Sequence, residues 1–209
     1  MSKATTIRVL IADDHAIFRQ GLATIISRDP DMSAIAQAEN GFQAIALFRQ
    51  HQPDVTLMDL RMPEVEGVEA ITAIRAQSKS ARIIVLTTYD SDEDIYRGLQ
   101  AGAKGYLLKE TEPDELLNAI RTVHRGQQYI PPDVGAKLVQ RLSNPELSER
   151  ELAVLRSMAQ GMSNADIAAA LIIGEGTVKS HVNRILNKLD VSDRTQAVIV
   201  AVKRGIVNL

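Results

Sequence analysis

The sequence predicts a doubly wound α/β domain with a five-stranded parallel sheet, followed by an all-α domain of four helices. Three observations carry this expectation. Short apolar runs alternate five times with stretches of helical period over the first 125 of 209 residues. From Leu147 onward the apolar spacing is helical throughout. The charge divides in the same way, with 14 basic and 18 acidic residues over 1–125 but 6 basic and 2 acidic over 176–209. The expected division is a first domain over 1–125, a linker over 126–144 and a second domain over 145–209.

Composition narrows the chemistry. The net charge of −2 announces no polyanion partner for the chain as a whole. No cysteine is present, which excludes disulfides, thiolate zinc sites, iron–sulfur clusters and cysteine nucleophiles. Aromatic residues make up 3%, too few for a platform that stacks single-stranded bases. No apolar run approaches the ~18–20 residues of a membrane span. The first residues, MSKATTIRVLIADDH, meet two carboxylates before a signal-peptide core can form. A cytoplasmic protein without membrane contact is expected.

The elements follow in order. Ile7–Ala12 is a short apolar run, read as a strand buried on both faces. Phe18, Leu22, Ile25 and Ile26 share one helical face. Met32–Ala38 is a weaker strand. Asn40-Gly41 reads as a turn before a helix over Gln43–Gln50. Val55–Met58 is a strand, with a helix near Gly67–Gln77. Ile83–Leu86 is a strand, with a helix near Asp92–Ala101 and Gly102 as its cap. Gly105–Leu108 is a short strand before a helix over Thr111–Val123.

Ligands of such sheets bind beyond the carboxyl ends of the strands. Asp13 and Asp14 follow the first strand, Asp59 the third, Thr87 and Thr88 the fourth, and Lys109 the fifth. Neighbouring strands one, three, four and five would gather three carboxylates, a hydroxyl and an ammonium on one rim. Carboxylates so close need a cation, and an oxygen-only set suits Mg²⁺. A carboxylate can also attack phosphorus to form an acyl phosphate. Taken singly, a carboxylate pair before a helix is an ordinary cap, and an Asp after a strand an ordinary turn residue. Their coincidence at the ends of the right strands points to one site.

The segments IADDH, VTLMDLRMPEVEG, VLTTYD and GAKGYLLK closely resemble a bacterial response-regulator receiver domain, over about residues 6–124. The resemblance implies a flavodoxin-like fold. It makes Asp59 the phospho-acceptor, fed by the phosphohistidine of a sensor histidine kinase. Mg²⁺ would be bound by Asp14 and Asp59 directly, by Asp13 through water, and by the backbone carbonyl of Arg61. Thr87 and Lys109 would grip the phosphoryl oxygens. Tyr106 matches the family's switch aromatic, which turns inward when Thr87 moves. From the residues alone, Tyr106 reads as a half-buried strand aromatic with its hydroxyl in water. Many receivers follow the lysine with a cis proline, but here Glu110 follows Lys109. A cis bond to a non-proline residue costs ~2.5–4 kcal/mol, so the bond is either strained or trans. Arg61 occupies a position that tunes phosphate lifetime in many receivers.

The linker holds Pro131-Pro132, and Val134, Leu138 and Leu142 suggest a short amphipathic helix that can pack on either domain. Beyond it, Ser148–Glu151 is a capping box and Ser163–Asp166 a second cap. Gly161 is a C-cap candidate, and Ile172–Glu175 the turn before a helix over Gly176–Leu189. A fourth helix over Asp193–Arg204 ends at Gly205. A short helix, a tight glycine turn and a longer helix make a helix-turn-helix. On the third helix Val178, Val182, Ile185 and Leu189 face inward, and Lys179, Ser180, Asn183, Arg184 and Asn187 face the opposite way. Charge alone would make that arc a solvated face, but the helix-turn-helix context favours DNA.

This half resembles the LuxR-type DNA-binding domain, over about residues 145–208, and the whole chain resembles a NarL/FixJ-class regulator. The resemblance implies major-groove docking, with Lys179, Ser180 and Asn183 at base edges and Thr177, Arg184 and Lys188 at phosphates. Gly174 stands where relatives often carry Ser or Thr, a weaker cap. Val198, Val202 and Ile206 either form a dimer contact or close the domain's own core. The implied protein is a two-component switch. Phosphorylation favours a homodimer that binds two-fold-related half-sites of promoter DNA, with Mg²⁺-dependent self-phosphorylation and slow self-dephosphorylation as its only catalysis. A phosphorylation-independent DNA binder, with the receiver as a dimer module, is the alternative. An aspartyl-phosphate phosphatase is a third reading, but that class places a second Asp where Arg61 stands.

Overall fold

The computed structural model describes residues 6–88, 92–143 and 147–207. The chain divides into two compact units, Met1–Arg141 and Leu142–Leu209. In the first unit five parallel strands form one sheet in the order β2-β1-β3-β4-β5. The strands are β1 (Ile7–Ala12), β2 (Met32–Ala38), β3 (Val55–Met58), β4 (Ile83–Thr87) and β5 (Gly105–Leu108). Alternating with them are α1 (Ala16–Arg28), α2 (Gly41–His51), α3 (Gly67–Gln77), α4 (Asp92–Gln100) and α5 (Pro113–His124). Every residue of β3 and β4 is buried, which explains their unbroken apolar character.

The sheet has two cores. One face packs Leu10, Met58, Val85 and Tyr106 against Phe48, Ile71, Ile74 and Ile95 of α2, α3 and α4. The other packs Val9, Ile11, Leu57 and Ile84 against Leu22, Ile26, Leu116 and Ile120 of α1 and α5. Each such side chain contributes about 1.5–3 kcal/mol on burial. Asn40 is the N-cap of α2 rather than part of a turn, because its side chain accepts the amide of Gln43. The close return of α3 to the end of β3 requires Gly67, where a Cβ would lie 2.0 Å from the Asp59 carbonyl oxygen.

Past α5, Tyr129 lies beside β5. Its amide donates to the Lys104 carbonyl at 2.9 Å, and its carbonyl accepts from the Tyr106 amide at 3.0 Å. A sixth helix, α6 (Pro132–Ser143), then packs Val134 into the first of the two cores, with Ile130 and Leu138 against it. The apolar stripe of the linker is thus seated on the first unit; the side chain of Leu142 lies outside the described residues. Tyr106 itself is fully buried, which corrects the reading of a half-buried strand aromatic. The chain that follows β5 supplies cover that strand periodicity alone does not reveal.

The second unit contains α7 (Glu149–Ala159), α8 (Asn164–Leu171), α9 (Glu175–Leu189) and α10 (Arg194–Lys203). Ser148 with Glu151, and Ser163 with Asp166, form complete capping boxes. Val154, Leu155, Met158, Ile167, Val178, Ile185 and Ala201 make a separate core. Val198, Val202 and Ile206 pack against it while remaining partly exposed. Among the described residues, no helix is long and apolar enough to cross a membrane.

Candidate functional site

The sheet register places the site. Ala12 is paired with Met58, so Asp13 and Asp59 leave neighbouring strands side by side. The Asp59 amide donates to the Ala12 carbonyl at 2.9 Å, continuing that ladder. Thr87 is paired with Leu108, and the Lys109 amide donates to the Thr87 carbonyl at 2.9 Å. Asp13, Asp59 and Thr87 are buried, whereas Asp14 is open to solvent.

Lys109 joins the cluster. Its Nζ lies 2.7 Å from Asp13 Oδ2 and 2.7 Å from Asp59 Oδ2. Burial pushes the Asp59 carboxyl above its ordinary value; the charge of Asp13 adds to this, while Lys109 and the Arg61 amide oppose it. Burial alone would lower Lys109. Its hydrogen bonds to Asp13 and Asp59 outweigh that and hold the ammonium above its usual value. The Arg61 amide donates to Asp59 Oδ1 at 3.2 Å, and its guanidinium reaches both carboxylate oxygens of Asp94 at 3.2 Å. No cis peptide is present among the described residues, so the Lys109–Glu110 bond is trans.

Carboxylate oxygens of Asp13, Asp14 and Asp59 and a ring nitrogen of His15 lie within 4.8 Å of one another. Three carboxylates held this close form a donor set that suits a hard divalent cation. Sequence reasoning missed three neighbours of this cluster. His15 turns its ring toward the carboxylates. Phe18 of α1 places its ring centroid 5.0 Å from Lys109 Nζ. The Arg19 guanidinium donates to the Asp13 carbonyl. The position of His15 directly after the acidic pair was the one available signal. The Phe18 contact joins residues far apart in the chain and leaves no local trace.

In the second unit, Thr177, Lys179, Ser180, Asn183, Arg184 and Asn187 are exposed on α9, opposite buried Val178, Ile185 and Leu189. The Ser180 hydroxyl donates to the Gly176 carbonyl at 3.1 Å, and its oxygen keeps the capacity to accept. Gly174 caps α9 without a side-chain bond. Lys188 departs from its expected phosphate-facing role. Its Nζ lies 2.8 Å from Glu151 Oε2, with side-chain exposures of 22% and 4%. The ammonium is drawn inward by an otherwise buried carboxylate and ties α9 to α7.

Comparison with known proteins accords with both halves. Residues 9–121 match the family described as response regulator receiver domain. Residues 145–201 match bacterial regulatory proteins of the luxR family. The uncharacterized transcriptional regulatory protein YxjL of Bacillus subtilis (strain 168) is 43% identical, covering 96% of this chain and 97% of its own length. The response regulator protein VraR of Staphylococcus aureus is 38% identical, covering 97% and 99%. The solved structure of the Salmonella typhimurium response regulator RcsB, whose subject is conformational dynamism for DNA interaction, superposes with a TM-score of 0.86. It is 26% identical and covers 93% of this chain and 98% of that one. Two family matches in tandem, with relatives aligned along almost their full length, place this chain among the response regulators of the NarL/LuxR family, as a transcriptional regulator with a receiver and a LuxR-type DNA-binding domain.

Proposed function

We propose that Asp59 accepts a phosphoryl group from a sensor histidine kinase in a Mg²⁺-dependent step, and that this controls homodimerisation and binding to double-stranded DNA. The observation that carries this reading is the meeting of Asp13, Asp59 and Lys109 at 2.7 Å contacts beside the buried Thr87. In the transfer, an Asp59 oxygen attacks phosphorus in line with the imidazole of a phosphohistidine. The new P–O bond forms as the P–N bond breaks, and the imidazole nitrogen leaves with the electron pair. Lys109 keeps an ammonium at the phosphoryl oxygens, and the Thr87 hydroxyl donates to them. Asp13, Asp14, Asp59 and the Arg61 carbonyl would hold Mg²⁺, which when bound neutralises charge on those oxygens. Tyr106, which matches the family's switch aromatic, is already buried, so movement of Thr87 toward the phosphoryl group would act on a ring that is already inside.

In the second unit, Lys179, Ser180 and Asn183 reach base edges in the major groove, and Thr177 and Arg184 hold phosphates. The exposed arc of α9 supports this assignment, as does the likeness to RcsB. Two copies would read two-fold-related half-sites. No catalysis beyond self-phosphorylation and slow self-dephosphorylation is invoked.

The test is intact mass after incubation with Mg²⁺ and acetyl phosphate, paired with a DNA-binding assay. Wild type is expected to gain one phosphoryl group and to bind DNA more tightly; Asp59→Asn is expected to do neither. An equal response to donor in Asp59→Asn would overturn the proposal and favour a binder that works without phosphate.

A further inference from the structure

We propose that His15 is a metal ligand of the Asp13–Asp14–Asp59 pocket and biases it toward first-row transition ions that accept nitrogen. The inference rests on the metal pocket proposed above and extends it, because an imidazole nitrogen enlarges the preference for later first-row ions beyond what oxygen ligands give. His15 Nδ1 lies 2.8 Å from Asp14 Oδ1 and 3.4 Å from Asp13 Oδ1. An ion with six ligands at about 2.0–2.1 Å holds neighbouring ligand atoms about 3.0 Å apart. The two distances bracket that spacing, so one ion could take this nitrogen and these oxygens with little movement of the side chains.

The contact with Asp14, not a helix cap, sets the direction of the ring. His15 is the N-cap of α1, yet its side chain makes no cap hydrogen bond. Its backbone amide donates to Asp13 Oδ1 at 2.8 Å, which anchors the residue beside the pocket. The ring is 68% exposed, so an ion pair with Asp14 would contribute little on its own. Imidazole is a ligand for borderline first-row ions, whereas Mg²⁺ keeps to oxygen and retains its waters. His15 therefore strengthens binding of Mn²⁺, Co²⁺ or Zn²⁺ and leaves Mg²⁺ binding little changed.

The experiment uses the full chain loaded with Mn²⁺ and reads electron spin-echo envelope modulation. A ¹⁴N modulation from one imidazole is expected, replaced by the ¹⁵N pattern when the protein carries [¹⁵N]histidine, and lost in His15→Ser. Serine keeps a good helix cap and brings no nitrogen. In titrations, His15→Ser is expected to weaken Mn²⁺ about tenfold or more, the scale of losing a supporting group around a metal, while sparing Mg²⁺. Mn²⁺ binding that depends on Asp59 but shows no nitrogen coupling would overturn the His15 assignment and leave the metal pocket standing. A coupling that survives in His15→Ser would also overturn it. Failure to bind either ion would overturn both readings.

Discussion

The Thr56 hydroxyl is fully buried in β3 and, like His181 Nδ1, has no hydrogen-bond partner among the described residues. Leaving such a group unpaired costs about 1–3 kcal/mol. Thr56→Val keeps the shape and removes the penalty. It is expected to stabilise the first unit by about 1–2 kcal/mol, read as a higher urea midpoint at unchanged slope. The site residues bear the opposite burden. Asp13 and Asp59 are both buried and share one ammonium, so two carboxylates compete for a single cation in a poorly solvated place. Strand-end positions made these residues legible in the sequence, because an apolar run that stops at a carboxylate fixes where that carboxylate emerges. The inward turn of Lys188 was not legible. Its partner Glu151 is 37 positions earlier on another helix, and helical spacing places Lys188 at the margin of the exposed arc.

At the scale of elements, the pairing of α9 with α7 depends on pH. Burial pushes the Glu151 carboxyl up, but Lys188 and Ser148 outweigh it and hold it below the ordinary value. The folded state therefore binds fewer protons here than the unfolded state across the intervening pH range. The resulting stability is present above about pH 4.3, the usual glutamate value, and is lost as pH falls through the lower folded value. In Glu151→Gln this part of the acid transition is expected to flatten, read from hydrogen exchange at Leu155 and Ile185. The turn between α8 and α9 carries strain of another kind. Ile172 is β-branched, 91% exposed and held at φ 55°. That left-handed conformation costs a side chain of this type roughly 1–2 kcal/mol. Ile172→Gly is expected to raise the melting temperature of the second unit, with about 1 kcal/mol gained. Capping boxes at Ser148 and Ser163 were plain in the sequence because four residues specify them. The left-handed Ile172 was not, since nothing local favours isoleucine there.

On the scale of the whole molecule, the chain forms two compact units, the first of which runs to Arg141, beyond residue 125 where charge and period suggested its end. What the sequence left open was the allegiance of the segment between them, since a stripe of Val134 and Leu138 names no partner. The structure gives that segment to the first unit, through α6 and through Tyr129 on the flank of β5. This has a consequence for taking the protein apart. A fragment that stops at residue 125 would bare the Lys104 carbonyl and the Tyr106 amide on an open sheet edge, a template for pairing with another chain. Light scattering is expected to show such a fragment aggregating with time, whereas one that runs to residue 141 carries its own edge protection and stays monodisperse.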